Sequence, residues 1–175
     1  MKKQIFIING SGGVGKDTFV SLVGKSLYRL YGYTLLNYSS IDCVKNVARS
    51  IGWNGGKTEK DRKFLSDLKV LMTEYNDTPF STLQYMVNLF EKSEDTKILF
   101  LHIREPKEIE RAKQAFNAKT ILIKRDSIPH ITSNMADNGV FDYQYDIEIN
   151  NDGDLNDFAK QAEEFIISHF EGNKV

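Results

Sequence analysis

One cysteine, Cys43, is all the thiol that 175 residues contain. A lone thiol closes no internal disulfide, which fits a reducing, cytoplasmic setting. No apolar run approaches the roughly 20 residues of a bilayer span. The opening MKKQIFIIN has the charge and apolarity of a signal peptide, but its apolar part is too short and leads into glycines. Charge of one sign is lacking too: 23 Lys and Arg stand against 24 Asp and Glu, a net charge of −1. The totals therefore predict neither a nucleic-acid nor a membrane partner, and any anion must be held by local basic clusters. Repeats, low-complexity tracts and linkers are also missing. What remains is ordinary for a globular protein, 41% hydrophobic and 27% charged, with a length suited to a single domain over 1–175. Nothing in it speaks to oligomeric state.

Short apolar runs alternate with longer helical patterns. Strands are expected at 4–9, 33–39, 97–103, 119–125 and 145–150, and three of these are apolar nearly throughout, as in strands covered on both faces. Helices are expected between them. Residues 15–31 carry Phe19, Leu22, Val23, Leu27 and Leu30 at helical spacing, and 58–76 place Phe64, Leu65, Leu68, Leu71 and Met72 on one face. Shorter helices follow at 41–52 and 80–92. Pro106 stands in a first-turn position of another, and Asp154 caps a last helix running to Gly172. Such alternation predicts βαβ crossovers, one parallel sheet with helices on both faces, and ligands at the carboxyl ends of the strands.

The most specific signal is GSGGVGK, residues 10–16, between the first strand and the first helix. It matches the G-x-x-x-x-G-K pattern of a phosphate-binding loop. Gly10, Ser11, Gly12, Gly13, Val14 and Gly15 can curl successive amides around an anion, and the helix N-terminus adds partial positive charge. Lys16 brings a full charge to the outer phosphates. Asp17 then stands where such loops ordinarily carry a hydroxyl, with Thr18 after it. A carboxylate is a hard oxygen ligand for Mg²⁺, directly or through water; the blander reading, compatible with it, is that Asp17 only caps or charges the first helical turn.

With GKDT the chain resembles the phage-type deoxynucleoside monophosphate kinases and the related animal-type phosphomevalonate kinases, which carry Gly-Lys-Asp here. The resemblance implies a P-loop NTPase fold: α/β, five parallel strands in order 2-3-1-4-5 flanked by helices, a helical acceptor region at about 40–92 and a lid at about 126–142. It implies ATP and Mg²⁺, with Asp17 and Thr18 at the metal, and a small nucleotide or phosphorylated metabolite as partner. In SSIDCVKNVARSIG, Asp42 and Lys45 match paired acceptor positions. Lys57, Lys60, Arg62 and Lys63 gather charge at a helix entry, and Arg62 is the expected clamp on the acceptor phosphate. Tyr38 and Trp53 lean toward a base-bearing acceptor.

The third strand ends in His102-Ile103-Arg104 where these kinases have Asp-Val-Arg. The missing acid is either offset by Asp17 or Glu105 or marks poor metal binding. Arg104 and Arg125 are expected to stabilise the transferring phosphoryl group, Arg125 being the lid's one arginine, with Lys124 and His130 as alternatives. Asn151, Asp152 and Gly153 resemble the Asn-Asp-Gly turn that passes the adenine, contacting it through backbone. Transfer to a (deoxy)nucleoside monophosphate is the leading expectation. A non-nucleotide acceptor such as phosphomevalonate, or nucleotide binding without useful transfer, are the alternatives.

Overall fold

The computed structural model describes residues 2–127 and 139–170. The expected lid core, His130 and Gly172 lie outside these residues. Strands β1 (Gln4–Asn9), β2 (Thr34–Ser39), β3 (Thr96–His102), β4 (Lys119–Lys124) and β5 (Ile147–Asn150) form one parallel sheet in the order β2-β3-β1-β4-β5. Helix α1 (Lys16–Tyr31) follows β1, α2 (Asp42–Ser50), α3 (Glu59–Asn76) and α4 (Thr78–Lys92) lie between β2 and β3, α5 (Pro106–Phe116) lies between β3 and β4, and α6 (Leu155–Phe170) follows β5. Order and connectivity are those expected.

Burial follows the sheet order. The three inner strands are the apolar runs: Phe6, Ile7 and Ile8 of β1, Ile98 to Leu101 of β3 and Ile121 to Ile123 of β4 are shut off from water. The outer strands are less covered, β2 having no fully buried residue and β5 only Ile149. Register places Ile8 beside His102, Asn9 beside Leu122 and Lys124 beside Asn150. Parallel pairing in this register brings the ends of β3, β1, β4 and β5 to a single edge.

The chain divides into two units, 1–37 with 93–175, and 38–92. In the first, α1 and α6 meet over an aromatic cluster. Phe19 lies 5.5 Å from both Phe158 and Phe165, and Phe165 lies 5.0 Å from Phe6 of the sheet. Truncating such a ring costs about 3–5 kcal/mol, so this cluster fixes where α1 begins. Leu30 departs from expectation: it is exposed, and Ser26 is buried on the inner face instead.

The second unit holds α2, α3 and α4 around Val44, Ala48, Phe80, Leu83 and Phe90. Here α3 has no fully buried residue. Leu71, expected on its inner face, is 62% exposed. Helical spacing assigned it to the Phe64 stripe, yet at that end of the stripe only Met72 beside it is half-buried, and Leu71 stays in solvent. Start signals are present at three of the helices. Thr58 and Asp61 form a reciprocal capping box on α3, Pro106 opens α5, and Asp154 Oδ1 accepts from the amides of Asn156 and Asp157 at α6.

Candidate active site

The glycine loop leaves β1 at its buried end and enters α1 at Lys16. Three of its glycines have positive φ: Gly10 at 147°, Gly13 at 84° and Gly15 at 101°. Two of them also lack room. A Cβ on Gly10 would stand 2.5 Å from the carbonyl oxygen of Ile123, and one on Gly15 would stand 2.5 Å from Asn151 Nδ2. Glycine at these two positions is a steric requirement. The loop is thus pressed against the exits of β4 and β5.

Lys16 curls back over the loop. Its Nζ donates to the carbonyl of Gly10 at 2.5 Å and of Ser11 at 2.9 Å. Gly15, the N-cap of α1, makes no side-chain cap on the first-turn amides of α1. Asp17 and Thr18 project from this turn into solvent. Ser11 is buried, and its hydroxyl finds no hydrogen-bond partner among the described residues.

Because β1 lies between β3 and β4, the segments following those two strands flank the loop. Arg104 follows β3 and is exposed; its backbone carbonyl accepts from Asn9 Nδ2 at 3.2 Å. Arg125 follows β4 and is half-buried, with an Nε that has no hydrogen-bond partner among the described residues. His102 Nε2 lies 2.8 Å from Asn37 Oδ1, across the exits of β3 and β2. Glu105 serves as the N-cap residue of α5, and Lys124 pairs with Glu148 at 2.5 Å. Among the described residues no three His, Cys, Asp or Glu side chains gather as a metal cage.

The turn after β5 holds a role that the sequence did not suggest. Asn151 is buried, and its Nδ2 donates to the carbonyl of Val14 at 2.8 Å, while its own amide donates to Lys124 at 2.8 Å. Its side chain therefore braces the phosphate loop. Asp152 Oδ1 accepts from the Asp126 amide at 2.7 Å, tying the β4 and β5 exits together. Gly153 lies against the Asp157 carboxylate, which a Cβ would meet at 2.8 Å. The edge of the sheet thus collects Gly10 to Thr18, Arg104, Arg125 and Asn151 to Gly153.

No protein-family model matches the chain, and no curated protein matches it. Among solved structures it is similar to TT1252 from Thermus thermophilus, at 16% identity over 97% of this chain and 99% of that one, with a TM-score of 0.51. The fold is a P-loop NTPase fold. Similarity also extends to the thymidylate kinase of Ehrlichia chaffeensis, at 12% identity over 95% of this chain and 100% of that one, TM-score 0.49. Shikimate kinase of Aquifex aeolicus follows, at 15% identity over 98% and 99%, TM-score 0.47. Identities this low speak to the fold alone, and scores below 0.5 add no weight to it.

The expected acceptor residues lie in the second unit. Asp42 Oδ2 accepts from the Ser39 amide at 3.1 Å, and its Oδ1 lies 3.4 Å from Lys45 Nζ. The pair is formed, and Asp42, in the first turn of α2, ties back to the end of β2. Arg62 is exposed on the first turns of α3, while nearby Lys63 pairs with Asp67 at 2.7 Å. Trp53 is engaged locally: its Nε1 donates to Asp61 at 3.1 Å, and Arg49 sits 5.6 Å over its ring. Tyr38, half-buried, has its phenol pushed up to about 12 by burial and by the nearby Cys43 and Asp42.

Proposed function

We propose that this chain transfers the γ-phosphoryl group of ATP to a small phosphorylated acceptor, a nucleoside or deoxynucleoside monophosphate. One observation carries the reading: a glycine-built loop, uncapped at the start of α1, with the Lys16 ammonium drawn across it at the carboxyl edge of a parallel sheet. The donors fit a nucleotide's phosphates. Amides of Gly10 to Thr18 would bind them, and Lys16 would meet the outer pair. Arg104 and Arg125, on either side, would stabilise charge on the moving phosphoryl group. Asp152 and Gly153 would face the adenine through backbone.

Asp17 and Thr18 would hold Mg²⁺. An exposed carboxylate beside a hydroxyl suits a cation that keeps its waters and takes one or two carboxylates plus phosphate oxygens. Bound there, the cation would neutralise charge on the phosphate oxygens. Asp42, Lys45 and Arg62 would anchor the acceptor's phosphate. No protein nucleophile is called for, because this chemistry depends on positioning and electrostatics.

ADP release from Mg-ATP tests the reading, across ribo- and deoxyribonucleoside monophosphates, phosphomevalonate and a blank, with Lys16→Ala as control. Release that needs one nucleotide acceptor and disappears in the variant is expected. Release with phosphomevalonate alone would move the acceptor to a non-nucleotide phosphate. Tight ATP binding without release would reduce the chain to a nucleotide binder.

A further inference from the structure

Asn9 closes the apolar run of β1 and is fully buried. A primary amide costs free energy to bury unless its groups are hydrogen-bonded, so its partners explain its presence. Its Oδ1 accepts from the Gly10 amide at 2.8 Å. Of its two N–H groups, one donates to the Arg104 carbonyl at 3.2 Å and the other to the Tyr145 hydroxyl at 2.8 Å. That hydroxyl donates in turn to the carbonyl of Val140 at 2.8 Å. Every hydrogen in the set has an assigned acceptor, so the network has one direction. Burial, against the hydrogen bond from Asn9, pushes the Tyr145 phenol up to about 12, so it stays a donor.

Gly10 is held at both ends. Asn9 takes its N–H, Lys16 takes its carbonyl, and the Ile123 carbonyl leaves no space for a side chain between them. The N–H lies in the 9–10 peptide and the carbonyl in the 10–11 peptide, and the two planes meet at the Gly10 Cα, so a displacement of that Cα moves both and Lys16 with them. A leucine or valine at position 9 would extend the apolar run more cheaply, and neither could hold the Gly10 N–H. We infer that Asn9 and Tyr145 are positioning residues, which hold the 9–10 peptide and, through the Gly10 Cα and carbonyl, aim the Lys16 ammonium at the outer phosphates of a bound nucleotide. The last step rests on the proposed ATP reading; the aiming of Lys16 does not.

Two measurements separate these. In the ligand-free protein, the Gly10 amide and Lys16 Nζ resonances are expected to shift in Tyr145→Phe, while amides of α6 such as Ala162 stay in place. A variant that is merely less stable, with both resonances unmoved, would overturn the inference. Calorimetric titration with Mg-ATP then reads the consequence. Tyr145→Phe should weaken binding about fivefold, the loss of one ordinary hydrogen bond. The same substitution in a Lys16→Met background should weaken it no further, whereas additive losses would show a route that bypasses Lys16 and overturn the inference. A wild-type protein that binds no ATP would sink the kinase reading and leave the resonances to judge the strut. Wild-type binding with Tyr145→Phe unchanged would sink the strut alone.

Discussion

Two asparagines carry more of this site than their chemistry advertises. Asn9 fixes the entry of the glycine loop and Asn151 its exit, each through a buried amide. Replacing Asn151 by alanine leaves the Val14 carbonyl without its donor and opens a gap beside Gly15. A lost buried hydrogen bond of this kind costs about 1–2 kcal/mol. Because the loop is what loosens, we expect ATP affinity to fall about tenfold and the urea midpoint only modestly, as read by titration and by denaturation of the same sample. A variant with lower stability and unchanged affinity would make Asn151 a fold residue only. Gly10→Ala should be harsher, since the obstructing atom is a backbone oxygen of β4 that cannot step aside. Loss of nucleotide binding together with a drop of roughly 2–4 kcal/mol is expected from denaturant titration.

Single polar bonds also set how neighbouring elements register. At the start of the β4–β5 pair, Asp146 takes hydrogen bonds from the Thr120 amide at 2.8 Å, from the Thr120 hydroxyl at 2.9 Å and from Lys113 at 2.7 Å. Burial alone would raise its carboxyl, but Lys113 and Thr120 outweigh this and hold it below its ordinary 3.8. A depressed acid stabilises the fold above its unfolded value and loses that contribution as pH falls through the lower folded value. Asp146→Asn should therefore lower the urea midpoint most above about pH 4, and the gap to wild type should close on further acidification. A gap independent of pH would deny Asp146 this role. On α3, which buries nothing fully, the capping box matters more than usual. Thr58→Ala should cost about 1 kcal/mol. Trp53, the chain's one tryptophan, bonds to the capping Asp61 and should report the loosening by fluorescence at lower urea than far-UV dichroism does. Coincident transitions would place the cap's effect in the whole fold instead.

Over the whole molecule, what could be read from sequence was whatever depends on neighbours along the chain. Continuous apolar runs marked β1, β3 and β4 because strands covered on both faces need no polar alternation. The glycine loop was legible since its spacing is local. Leu30 and Leu71 misled because periodicity assigns a face and cannot say whether anything covers it. Asn9, Tyr145 and the bracing by Asn151 gave no signal, for their partners meet only once the strands take the order 2-3-1-4-5. The same contrast in burial separates the two units. The first has a continuous core around Phe6, Phe19, Phe100 and Phe158, whereas the 38–92 unit rests on a few residues such as Val44, Leu83 and Phe90. Regions with few buried apolar contacts open at lower free energy than the core. Native-state hydrogen exchange should therefore show α3 amides exchanging through partial openings, well ahead of those in β1, β3 and β4. If the acceptor binds through Asp42, Lys45 and Arg62, saturating it should slow exchange across α2 and α3, and ATP alone should not. Protection that rises equally with ATP alone would remove those residues from the acceptor site while leaving the phosphate loop in place.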